Sequence, residues 1–207
     1  MTSYPALRRS LRGPLLFARS RAIPLAVASL AAIAVLAVWG AHGLDAYLEP
    51  SRRVPVVALA PLLSAAVIGT GLHPYMDELD RTAVRPWWPR RLTQLLGLTA
   101  LAATVLAVAV LGHTAEFGAP AMARNALGAM GITAAAAVMI GARLSWLPAF
   151  AYVSAIYLGA GRVHGHGAQI WAWPMQPGPQ AGAWAAAVAL FVAGASVYAW
   201  RGPRRES

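Results

Sequence analysis

The stretch HPYMDELDRTAVRPWWPRR, residues 73–91, divides the chain, because almost everything on either side of it is apolar. It holds three of the seven carboxylates and four of the seventeen arginines. These charged residues are Asp77, Glu78, Asp80, Arg81, Arg85, Arg90 and Arg91. The hydrocarbon core of a bilayer excludes so many charges. The stretch therefore predicts a loop in water that joins two membrane-spanning helices.

The composition places the whole chain among integral membrane proteins. Of its 207 residues, 58% are hydrophobic and 12% are charged, whereas an ordinary soluble domain carries about 25% charged residues. The mean hydropathy is +0.55. One membrane domain fits this length, and no block is long and polar enough to form a separate soluble catalytic domain.

The charge and the cysteine count exclude other classes of protein. The formal net charge is +10, and all 17 basic residues are arginines at the edges of apolar blocks. That distribution orients a protein in a lipid bilayer and does not form a nucleic-acid-binding face, so no nucleic acid partner is expected. The absence of cysteine excludes disulfides and thiolate chemistry. A cleaved signal peptide is not expected, since the first apolar block is long enough to span and no clear cleavage site follows it.

The apolar blocks predict an all-α fold with six transmembrane helices. The predicted spans cover residues 22–43, 54–72, 92–112, 126–142, 146–161 and 181–200, within a transmembrane domain of residues 22–207. Pro55 and Pro61 predict a kink in the second span. Residues 113–125 are expected to form a loop. Residues 162–180 mix glycine and proline with Trp171 and Trp173, which favours an irregular or partly re-entrant segment.

Residues 1–21 have a separate character. Leu7, Leu11 and Leu15 recur at helical spacing with arginines between them. This pattern predicts a short basic amphipathic helix on the membrane surface, broken near Gly13 and Pro14. A disordered basic tail is the alternative.

The arginines predict the orientation. Six spans put both termini on one side, and with that side inside, 13 arginines are internal and 4 are external. The external ones are Arg52, Arg53, Arg124 and Arg162. Since short cytoplasmic loops carry the excess of arginine, both termini and the charged loop are expected in the cytoplasm of a cell-membrane protein.

The spans are rich in small residues, for example Gly128, Gly131 and the run from Ala134 to Ala137. Small residues allow helices to approach closely in lipid. A general bias of the genome toward alanine is the alternative explanation.

Within the charged loop, the order of charges predicts a short helix. Carboxylates at Asp77, Glu78 and Asp80 suit the amino-terminal end of a helix, and Arg81 and Arg85 lie four residues apart on one face. Pro86 then ends the helix. Such an element, held between two spans, can transmit a push from a soluble protein. The alternative is a solvated loop with no partner.

Other candidate sites are weak. No GxxxxGK[ST] motif is present, so this chain is expected to bind no nucleotide. His164 and His166 supply two metal ligands where three or four are usual. Ser196 has no histidine in another span to act as its base. The predicted spans hold essentially no ionisable residue near their middle, which argues against proton-coupled transport.

The chain resembles the membrane subunits of type-two ABC exporters, particularly their short actinobacterial form. The resemblance rests on the basic amino-terminal segment, the six spans, the loop DELDRTAVRPWWPRRL and the Gly/Pro/Trp-rich loop before the last span. It departs from some relatives in being short and in lacking a large extracellular domain.

The resemblance implies an elbow helix at residues 1–21 and a coupling helix within residues 73–91. Its candidate coupling residues are Asp77, Glu78, Leu79, Asp80, Arg81 and Arg85. It further implies a permease, not an enzyme, that works by alternating access, and the lack of ionisable residues within the spans suggests an apolar or amphiphilic substrate. A separate ABC ATPase subunit would bind ATP and Mg, and a second permease subunit would complete a homodimer or heterodimer. The alternative is a membrane scaffold or accessory subunit whose cytoplasmic loop recruits a partner.

Overall fold

The computed structural model describes residues 23–45, 54–72, 88–110, 117–159 and 168–204, and these residues form only helices and turns. The helices are α1 (Ile23–Asp45), α2 (Val54–Thr70), α3 (Trp88–Ala109), α4 (Ala119–Ile140), α5 (Trp146–Gly159), the single turn α6 (Ala168–Trp171) and α7 (Ala181–Arg201). A 3₁₀ turn, Trp173–Met175, lies between α6 and α7. The all-α prediction is confirmed for these residues. The predicted amino-terminal helix, residues 1–21, lies outside them.

Three of the helices are long and apolar enough to cross a membrane. These are α3, α4 and α7, with 22, 22 and 21 residues. At about 1.5 Å per residue they are roughly 32 Å long, which matches a hydrocarbon core of about 30 Å. The other apolar helices are shorter over their described side chains: Pro24–Gly40 in α1, then α2 and α5 with 17 and 14 residues.

Helices α1 to α4 run in alternating directions, as two buried clusters demonstrate. One cluster joins the first half of α1 to the end of α2, the start of α3 and the ends of α4 and α7. The other joins the second half of α1 to the start of α2, the end of α3 and the start of α4. The first includes Leu30, Ile68, Leu95, Ala137 and Tyr198, and the second includes Ala37, Val57, Leu106 and Met122. Helices α1 to α4 therefore form an up-and-down bundle, and α7 runs parallel to α4.

Helix α4 is at the centre of this bundle. It packs against α2, α3, α5 and α7, and Ala121, Met122, Ala134 and Ala137 on it are fully buried. Its crossing with α7 depends on two glycines. A Cβ atom at Gly131 would lie 2.5 Å from the Phe191 nitrogen, and one at Gly194 would overlap the Gly131 carbonyl oxygen. The two backbones touch because neither glycine has a side chain.

Two helices begin earlier than predicted. Helix α3 begins at Trp88, so residues 88–91 of the predicted loop form its first turn. Proline fits there, because the first N–H groups of a helix have no intrahelical acceptor. Helix α4 begins at Ala119, with Pro120 in its first turn, so the expected loop at residues 113–125 ends earlier and Arg124 and Asn125 are helical.

Candidate functional site

The charged loop joins α2 to α3 at one end of the bundle. The predicted coupling residues Asp77, Glu78, Leu79, Asp80, Arg81 and Arg85 lie outside the described residues. The structure does describe the two attachment points of the loop. Leu72 is 1% exposed, and it belongs to the same buried cluster as Leu95 near the start of α3. Both ends of the loop are thus attached to helices that pack together.

Five of the six arginines among the described residues lie at this same end, which we call the arginine end: Arg90, Arg91, Arg143, Arg201 and Arg204. The carboxyl-terminal segment joins several helices here. The Arg204 backbone N–H donates to the Ala137 carbonyl at 2.8 Å, and Arg204 Nη1 donates to the Met139 carbonyl at 2.9 Å. The arginine end is therefore both strongly basic and well connected.

Gly202 gives the arginine end its local shape. Its φ of +72° lies in the left-handed region that favours glycine, and its N–H donates to the Tyr198 carbonyl at 2.8 Å. The guanidinium of Arg91 lies over it, so that a Cβ atom there would be 2.6 Å from Arg91 Nη1. Because glycine has no side chain, the Arg91 guanidinium of α3 can approach the end of α7.

The opposite end, which we call the cap end, is closed by residues 172–180. Arg124 in the second turn of α4 is 0% exposed and holds this segment. Its Nη1 donates to the Pro177 carbonyl at 2.8 Å and its Nη2 to the Gln176 carbonyl at 2.7 Å. Its Nε donates to Asn125 Oδ1 at 3.1 Å. The buried guanidinium is therefore hydrogen-bonded to three neutral oxygen atoms, and none of these partners is a carboxylate.

Asn125 joins the cap to two helices. Its Nδ2 donates to the Val57 carbonyl at 3.0 Å and to the Pro174 carbonyl at 2.8 Å. Pro61 has no N–H, so Val57 lacks the donor that residue 61 would otherwise supply within α2. The amide of Asn125 supplies that donor from α4. A proline-freed carbonyl satisfied by a neighbouring helix is one way in which membrane helices tolerate proline.

Trp173 anchors the cap in the bundle. Its side chain is 1% exposed and fills a space that glycine creates, because a Cβ atom at Gly128 would overlap its ring. The Tyr152 ring stacks on it with centroids 6.3 Å apart and an interplanar angle of 27°. Trp184 Nε1 donates to the Gly178 carbonyl at 2.9 Å. Residues 172–180 thus pack against α4, α5 and α7, as an irregular segment with short helical turns.

Sequence reasoning missed the buried pair Arg124 and Asn125, because polar residues beside a predicted loop were assigned to that loop. One signal was present in the sequence. Gly118, Ala119 and Pro120 form a helix start with proline in the first turn, which would have moved the start of α4 forward. The acceptors of the pair lie 49 to 68 residues away, and no local pattern identifies them.

The two ends of the bundle differ in charge and in how they are closed. Its described residues contain no group of three or more His, Cys, Asp or Glu that could hold a metal ion. One end is basic and carries the attachment points of the charged loop. The opposite end is closed by a segment that Arg124 binds. Comparisons with protein-family models, with curated proteins and with solved structures find no match to this chain.

Proposed function

We propose that this chain is the permease subunit of an ATP-driven exporter. A separate ATPase subunit binds ATP and Mg, docks on the loop between α2 and α3, and drives the bundle between two conformations. A second permease subunit, identical or related, completes the assembly. The cargo is apolar or amphiphilic, since the predicted spans offer essentially no ionisable residue near their middle.

The attachment of the loop is the observation that supports this proposal most. Fifteen residues, 73–87, separate Leu72 from Trp88. Leu72 belongs to the same buried cluster as Leu95 of α3, and both α2 and α3 pack on the central helix α4. A partner that moves the attachment points of the loop therefore acts on helices that contact the centre of the bundle.

The proposed topology has six spans, comprising α1 to α5 and α7. Each of the three long helices is by itself long enough to cross a bilayer. Helices α1 and α2 alternate in direction with α3, which supports counting them as spans, and the count of six also includes α5, the shortest of the apolar helices. The excess of arginine assigns the arginine end, both termini and the charged loop to the cytoplasm. The cap end then faces outward.

Charge reversal in the loop tests the proposed function. One variant combines Asp77→Lys, Glu78→Lys and Asp80→Lys, so that three carboxylates of the proposed docking surface become cations. Loss of a buried charge pair at an interface typically costs about 2–5 kcal/mol. We expect the tagged protein, purified in mild detergent from its native host, to lose an ATPase that the wild type retains. ATP-dependent export is expected to fall more than tenfold.

A matched control is Glu49→Lys, which changes one carboxylate in the loop between α1 and α2, on the other side of the membrane in the proposed topology. It is expected to retain the ATPase. Recovery of the wild type with no ATPase contradicts the transport proposal. Recovery with a different soluble partner, lost on the same charge reversal, supports the scaffold instead.

A further inference from the structure

A groove lies on the outer face of the bundle between α3 and α7. It is about 530 Å³ in volume and is lined mainly by apolar side chains. Trp88, Leu92 and Leu96 line it from α3, and Val192, Ser196 and Trp200 line it from α7. Their spacing of three or four residues puts each set on one helix face. The groove opens to the surroundings of the bundle, and Ala195 of the main buried cluster belongs to its lining.

The length of the groove matches one leaflet of a bilayer. Trp88 to Leu96 is eight residues, or about 12 Å along a helix at 1.5 Å per residue. Half of a hydrocarbon core of about 30 Å is about 15 Å. Trp88 and Trp200, which are 52% and 88% exposed, mark its outer limit at the arginine end. Tryptophan is enriched at that depth, where hydrocarbon meets the headgroups.

Two cations lie on the helices of this groove at the arginine end. The guanidinium of Arg91 in α3 lies over Gly202, directly after the end of α7. Arg201, the last residue of α7, is exposed, whereas Arg204 donates to the Met139 carbonyl of α4. A half-buried guanidinium above an apolar groove is complementary to an anion that carries a hydrocarbon chain.

A second groove of about 600 Å³ provides a comparison within the same molecule. It lies between α1 and α3 toward the cap end, and its lining includes Val35, Trp39 and Val108. Neither lining includes a charged residue. The two grooves are alike in size and apolarity, and among the described residues the groove between α3 and α7 has Arg91 and Arg201 on its two wall helices at the arginine end.

We propose that the groove between α3 and α7 binds one anionic phospholipid from the leaflet at the arginine end. One acyl chain lies along the groove from Trp88 to Leu96, and the headgroup phosphate meets Arg91. The proposal requires these helices to lie in a bilayer, but it does not depend on the transport function. A protein that recruits no ATPase can still bind this lipid.

Lipid binding to the full chain tests the proposal. The purified protein in detergent is titrated with phosphatidylglycerol or with phosphatidylcholine of the same acyl chains, and bound lipid is measured by native mass spectrometry. We expect at least one phosphatidylglycerol molecule to bind in preference to phosphatidylcholine. Arg91→Gln should weaken its affinity about fivefold, since one arginine at an anionic surface contributes about 1 kcal/mol. Ser196→Phe, which fills the groove, should also weaken it.

The matched control is Arg143→Gln, which removes one cation from the arginine end at a residue between α4 and α5, outside the two helices that form the groove. It should change the affinity less than about twofold, because screening limits its reach. Size-exclusion profiles confirm that each variant remains folded. Equal binding of the two lipids, equal effects of Arg91→Gln and Arg143→Gln, or unchanged binding in Ser196→Phe would each overturn the proposal.

Discussion

Pro61 and Asn125 exemplify how single residues stabilise this bundle. Pro61 lies inside α2 and deprives the Val57 carbonyl of its intrahelical donor. Asn125 Nδ2 donates to that carbonyl at 3.0 Å from α4. The proline and the asparagine are therefore coupled through one oxygen atom, although 64 residues separate them in sequence.

A double-mutant cycle measures this coupling. Asn125→Leu leaves the Val57 and Pro174 carbonyls unsatisfied and is expected to lower the free energy of unfolding by about 1–3 kcal/mol. In a Pro61→Ala background the backbone supplies a new N–H to Val57. The cost of Asn125→Leu should then fall by about 0.5–1.5 kcal/mol. Unfolding by SDS in mixed micelles, followed by circular dichroism, gives the four free energies.

Pro55→Ala is the control background. Pro55 lies in the first turn of α2, where an N–H would have no intrahelical acceptor. The effects of Pro55→Ala and Asn125→Leu on the free energy of unfolding should therefore be additive. If the cycle with Pro61 is also additive, the hydrogen bond from Asn125 does not compensate for the proline.

At the scale of elements, the crossing of α4 and α7 depends on direct backbone contact at Gly131 and Gly194. Both glycines are helical, so their role is to permit a close approach. Gly194, two residues before Ser196, shows that small residues in this part of α7 have a packing role.

Alanine at either glycine should separate the two helices. Gly131→Ala and Gly194→Ala are each expected to lower the free energy of unfolding by about 1–3 kcal/mol, as overpacking does. Gly97→Ala in α3 is the matched control, because a Cβ atom there meets nothing within 4 Å. It should be neutral, or stabilising by up to about 1 kcal/mol, since alanine favours a helix over glycine. Equal effects at all three positions in the same SDS assay would rule out the packing explanation.

The elements also reveal what the sequence can and cannot predict. Hydropathy alone predicts the apolar helices, and the predicted limits of the last one, 181–200, differ from α7 by one residue. It misplaces the start of α4, because Arg124 and Asn125 are polar and their burial depends on distant acceptors at Gln176, Pro177 and Val57. Local patterns report the solvent preference of a residue, whereas its hydrogen-bond partners depend on how the chain packs. The coupling residues from Asp77 to Arg85 remain predictions.

At the scale of the whole molecule, the two ends of the bundle differ in charge and in closure. The arginine end carries five of the six arginines among the described residues and the attachment points of the charged loop. The cap end is closed by residues 172–180, which Arg124, Asn125 and Trp173 hold against the helices. The proposed ATPase would therefore act at the first end.

Site-specific photo-crosslinking in the native host tests the central claim most directly. One variant carries a photoreactive amino acid in place of Leu79, in the middle of the proposed coupling helix. A control variant carries it in place of Leu48, in the loop between α1 and α2. We expect position 79 to form a crosslink to an ABC ATPase, identified by mass spectrometry, and position 48 to form none. A crosslink from position 79 to proteins outside the cytoplasm alone, or no protein crosslink from it in the intact assembly, would contradict the account.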